Sequence, residues 1–219
     1  MTQAHTTGKG VASTPEERAY EARAAEGAIW SGSRLLMGIY AFAFAALAFA
    51  YFYLRSSNNE DLWRPHNMTA PTGTGAAIMA LAVAAAALSG FGLLRFRRDL
   101  LLDWQVTGWT AVVAGLVALG LQAWELTDLP FFPSASGYAS CFIGWAGMNM
   151  VLLVSGIYWT ETLLARHLRL SKALAEEGAS PTAHFTTRQF RVNVEACVNM
   201  WMFIAGVSVF FWIFFYVAR

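Results

Sequence analysis

Three glutamates stand at the ends of long apolar stretches: Glu125 in "LQAWELTD", Glu161 in "YWTETL" and Glu195 in "EACVNMWMF". A carboxyl group in or beside lipid is the usual seat of proton relay, ion coupling or substrate binding in a membrane protein. It costs about 2.5–3.5 kcal/mol at mid-bilayer and less near the interface. All three glutamates fall near an end of their stretch, so a side chain reaching back to water is the ordinary reading for Glu161. Glu125 and Glu195 carry more. Gln122 precedes Glu125 by three residues and Asn199 follows Glu195 by four, spacings that share a helix face. Trp124 and Trp201 stand close by in sequence. A polar cluster turned toward a neighbouring helix or a lipid headgroup would have this form.

Other chemistries lack their residues. The four histidines, His5, His66, His167 and His184, fall in the N-terminal arm or in expected loops. A membrane haem needs axial ligands, usually His, projecting from helices. Copper and zinc need clustered His, Cys or carboxylate. Cys141 and Cys197 lie far apart, each in an apolar stretch, where cysteine usually packs as a small hydrophobe. The eight methionines read as packing residues. The glycines of "GFG" and "GWAG" follow no strand, so they read as close helix contacts rather than a nucleotide loop. No cofactor or metal is expected in this chain.

The elements that must position these side chains follow from composition. Of 219 residues 57% are hydrophobic and only 13% charged, about half the charged fraction of a soluble domain. A helix needs about 20 apolar residues to cross roughly 30 Å of hydrocarbon. Five windows qualify: residues 35–54, 75–94, 108–126, 138–164 and 196–217. The chain is therefore expected to be an all-α polytopic membrane protein. Residues 1–32 form an arm and residues 33–219 the membrane domain. The arm lacks the apolar core of a secretory signal. Within it, "TPEE" offers Thr14 as N-cap, Pro15 at the first helical position and Glu17 three residues after the cap, a capping box. A short surface helix is expected from there to Gly27.

Charge gives the orientation. Arg95, Arg97, Arg98, Arg166, Arg169, Lys172, Arg188 and Arg191 fall on one side together with Lys9, Arg18, Arg23 and Arg34 of the arm; the other side holds Arg55, Arg64 and Arg219. Basic loops stay in the cytoplasm, so the N-terminus is expected inside and the C-terminus outside. The near-zero net charge leaves no basic face for a nucleic acid. The loop after the fourth span is expected to begin as an extension of that helix and to end near Gly178, before "GASPT".

Four stretches in order resemble one family, the third subunit of haem–copper cytochrome c oxidases (subunit III) in its short five-helix form. "YAFAFAALAFAYFYLRS" resembles its first span, with Ala50, Tyr51 and Phe52 at the aromatic signature. "GLVALGLQAWEL" carries its Gly120, Gln122 and Glu125. "GYASCFIGWAGMNMVLLVSGIYW" resembles its Tyr-x-Ser start and Gly-x-His-x-x-His core. "EACVNMWMF" is similar to its Glu-Ala start and Trp-His-Phe core, with Glu195, Trp201 and Phe203 in place. The chain departs from the family pattern at Tyr40, Ala146, Asn149, Met202 and Ala205, where the family has acids or histidines.

The resemblance implies a divergent, non-catalytic accessory subunit of a respiratory-chain oxidase in aerobic electron transport. It implies two helices and three helices flanking a lipid cleft in a bacterial inner membrane. Its partners would be the catalytic subunit I, which carries haem and copper, subunit II, and phospholipids. Its role would be assembly, stability and sustained proton uptake. Glu60 and Asp61 read first as a solvated outer loop, with a place near a basic electron donor as the lesser alternative. Gln122, Glu125, Asn149, Glu195, Asn199 and Trp201 are the candidate lipid or subunit-interface residues. Two rivals stay open: the equivalent subunit of a nitric oxide reductase, and a small transporter using Glu125 and Glu195.

Overall fold

The computed structural model describes residues 14–58, 63–65, 68–176, 178 and 188–218. Among these the chain is all-helical, with five helices long and apolar enough to cross a membrane: α1 (Pro15–Ser56), α2 (Thr72–Phe96), α3 (Leu101–Thr127), α4 (Gly137–Glu176) and α5 (Arg188–Trp212), the last continuing into a π-helical turn, Ile213–Val217. Glu60, Asp61, His5, His66 and His184 lie outside the described residues.

The capping box starts α1 as expected. The Thr14 amide donates to Glu17 Oε2 at 2.7 Å, and the Glu17 amide donates to Thr14 Oγ1 at 3.2 Å. The helix does not stop at Gly27, however. It runs unbroken for 42 residues, about 63 Å at 1.5 Å per residue, so no separate surface helix precedes the span. A glycine ends a helix by adopting the left-handed conformation after the last turn. Gly27 stays helical within a run of good helix formers and only lowers local propensity, by about 1 kcal/mol relative to alanine.

The turn between α2 and α3 is built on Asp99, the one non-glycine among the described residues with positive φ, at 61°. The Leu100 amide reaches back to the Arg95 carbonyl at 3.1 Å, which closes α2 with a left-handed cap. Gly178, φ 68°, follows the end of α4, where the sequence placed it. His167, expected in a loop, belongs to α4 and is buried edge-on against Trp104, because α4 stays helical well past the apolar window.

Helices α2 to α5 close a ring: α2 packs on α3 and α5, and α4 packs on α3 and α5. Alanines on one face of α2 (Ala82, Ala85, Ala86) and small residues on α3 (Gly108, Ala111, Gly115, Ala118) are buried. Small side chains let backbones approach closely where apolar burial gives helices in lipid no reason to associate. Helix α1 lies outside this ring against α4 and α5, with Phe44 against Trp145 and Tyr51 against Phe214 and Phe215.

Candidate functional site

The sequence-selected residues fall into two places. One is the interior of the ring, toward the end of α3 that carries Glu125. The other is the surface at the opposite end, near the α2–α3 turn, called here the basic end.

In the interior, Gln122, Glu125 and Asn149 are at most 1% exposed. Gln122 Nε2 donates to Glu125 Oε2 at 2.8 Å, one turn apart on α3 as their spacing predicts. Asn149 Nδ2 on α4 donates to Gln122 Oε1 at 3.2 Å. Two residues not selected from the sequence complete the set. Tyr216 donates to Glu125 Oε1 at 2.6 Å, and Ser208 donates to Asn149 Oδ1 at 3.2 Å. The five side chains form one hydrogen-bonded chain, Tyr216–Glu125–Gln122–Asn149–Ser208, joining α3, α4 and α5. Both Glu125 oxygens accept a bond, which offsets much of the cost of removing a carboxyl group from water. These residues face other helices of the same chain and are closed off from lipid and from an outside partner.

The π-helical turn positions Tyr216. The Ala218 amide bonds the Ile213 carbonyl at 2.7 Å, a five-residue step that disturbs the regular ladder. Two nearby carbonyls accept tyrosine hydroxyls: Phe214 from Tyr51 at 2.9 Å, and Phe215 from Tyr138 at 3.0 Å. Arg55 adds a bond from Nη1 to the Ala218 carbonyl at 2.6 Å. Gly75 lies under the Tyr216 ring, and a Cβ there would overlap it.

Trp201 is also fully buried, lower in the ring. Its indole N–H donates to Thr160 Oγ1 at 2.8 Å, and Thr160 in turn donates to the Gly156 carbonyl at 2.8 Å and touches Cys197 Sγ at 3.3 Å. The ring fits because two glycines face it. A Cβ at Gly115 would come within 2.7 Å of the indole, and one at Gly156 within 3.3 Å. Trp201 is a packing wedge between α3 and α4.

Glu195 and Asn199 belong to the surface. Glu195 Oε1 accepts from Arg97 Nη2 at 2.7 Å, and both side chains are about half exposed. Arg191 approaches Asp99 at 3.7 Å, so α5 holds the α2–α3 turn at two points. Glu195 and Asn199 also border a groove with Trp30, Ser33 and Arg34 of α1, where Arg34 lies over the Trp30 ring at 3.5 Å. A further ion pair, Arg188 to Glu26 at 3.1 Å, fastens the lower part of α1 to α5. Glu161 is exposed.

The departures from the family pattern have separate fates. Asn149 is drawn into the interior chain, and Ala146 is buried beside it on α4. Tyr40 reaches Ser155 across the α1–α4 contact at 3.5 Å. Met202 faces outward near Gly90 of α2.

Among the described residues no group of three or more His, Cys, Asp or Glu side chains is placed to hold a metal ion. No protein-family model matches the chain, and no curated protein matches it.

Proposed function

We propose that this chain is a non-catalytic accessory subunit of a respiratory haem–copper oxidase, similar to the third subunit of that complex. The observation that carries the reading is the use made of its polar motif residues. Gln122, Glu125 and Asn149 are spent on one another and on Tyr216 and Ser208, which suits a scaffold whose polar groups lock helices rather than meet a substrate. In this reading the basic end faces the cytoplasm of a bacterial inner membrane. The groove of Trp30, Ser33, Arg34, Glu195 and Asn199 then sits at headgroup depth, where its arginine suits a phospholipid. The catalytic subunit and subunit II are the partners, and the haem and copper are theirs.

The test is affinity purification of the tagged chain from native membranes in mild detergent. A haem-bearing oxidase subunit in fixed ratio supports the proposal, and a nitric oxide reductase subunit in its place selects that rival. Stoichiometric haem or copper on the isolated chain overturns it. So does a free monomer without a haem-bearing partner, which returns the transporter reading.

A further inference from the structure

At the basic end of the ring, α2 to α5 leave a small cavity of about 20 Å³ between Ser89, Thr107, Thr160, Cys197 and Leu164. A water molecule needs roughly 10–15 Å³ on this measure, so there is room for one. Glycines shape the space. A Cβ at Gly92 would lie 2.6 Å from Thr107 Oγ1, and one at Gly108 would lie 3.1 Å from Leu164.

Ser89 Oγ lines this cavity, is buried, and has no hydrogen-bond partner among the described residues. A buried helical serine ordinarily satisfies itself on the carbonyl one turn back, and Ser89 does not. Its donor and both acceptor positions are unused. The neighbouring Thr107 hydroxyl is complementary. Thr107 Oγ1 donates to the Asp103 carbonyl at 2.8 Å, which leaves its lone pairs free. Thr160 Oγ1 donates to the Gly156 carbonyl, accepts from Trp201 and meets Cys197 Sγ at 3.3 Å, so its positions are already filled. A single water can accept from Ser89 and donate to Thr107.

We propose that this cavity is a hydration site holding one water molecule, which joins Ser89 of α2 to Thr107 of α3. The water gives Ser89 the partner that it lacks among the described side chains. The site is independent of the subunit assignment, since it rests on the ring alone.

X-ray radiolysis of the purified full-length chain, read by mass spectrometry, tests it. Radiolysis turns a bound water into a hydroxyl radical that oxidises the side chains it touches. Cys197 borders the cavity, whereas Cys141 is equally buried elsewhere. Cys197 is expected to oxidise several-fold faster than Cys141, to do so with a bulk radical scavenger present, and to fall to the Cys141 rate in Ser89→Ala. Equal rates for the two cysteines in the unaltered chain would overturn the proposal. Loss of the difference on adding scavenger would overturn it too, and so would an unchanged Cys197 rate in a folded Ser89→Ala protein.

Discussion

Glu125 has its two oxygens committed to different elements, one to Gln122 of its own helix and one to Tyr216 of the final turn. Removing the Tyr216 hydroxyl should therefore weaken the α3–α5 contact without disturbing α3. Interhelical hydrogen bonds in membranes are worth about 0.6 kcal/mol on average and at most about 1.7. A short bond to a carboxyl group belongs near the top of that range. Tyr216→Phe should cost about 1–1.5 kcal/mol in unfolding by denaturing detergent, while Glu125→Leu, which orphans two donors, should cost clearly more. Equal effects would mean that Tyr216 does not hold Glu125. The Gln122–Glu125 half of this unit is legible in the sequence, because three-residue spacing on a helix fixes a shared face. The Tyr216 half is not. Its partner is 91 residues away, and a tyrosine near the end of a span reads equally well as an interfacial anchor. Glu195 repeats the lesson, since nothing local names Arg97 as its partner.

Among the helices, α3 and α4 owe their spacing to Trp201 seated on Gly115 and Gly156. A methyl group at Gly115 has nowhere to go, and overpacking of this kind costs about 1–3 kcal/mol. Gly120, five residues further along α3, meets nothing within 4 Å. The same alanine there should be neutral or stabilising by up to about 1 kcal/mol through helix propensity. Opposite signs for Gly115→Ala and Gly120→Ala in the same unfolding assay are the expected outcome; matching signs would show that Trp201 does not wedge the two helices. Helix existence and type are readable from apolar length alone. Their ends are less so. The continuity of α1 through Gly27 was hidden because a glycine is a stop signal only in the left-handed conformation, which the sequence does not display.

For the whole molecule, the five spans are legible and their grouping is not. In water an apolar stripe marks the buried face of a helix, but in lipid the outward faces are apolar as well. Periodicity therefore cannot tell ring-lining residues from lipid-facing ones, and which helices touch emerges only from packing. Orientation rests on the basic residues gathered near the α2–α3 turn and the ends of α4 and α5. Single-cysteine reporters check it in intact cells. Ser57→Cys should react with a membrane-impermeant maleimide, and Lys172→Cys only after permeabilisation. The reverse pattern would invert the topology.

The widened turn at Ile213–Val217 has a consequence for how this chain tolerates change. One extra residue in a helix rotates everything beyond it by about 100°. With that residue accommodated in the bulge, Phe211, Phe215 and Tyr216 are all buried. Replacing a side chain within the turn removes only that residue's own contacts, whereas deleting a residue would swing the residues beyond it away from Tyr51, Tyr138 and Glu125 together. This turn is thus guarded by length more than by composition: a missense change there is a local injury, and a one-codon deletion breaks its ties to α1, α3 and α4 at once.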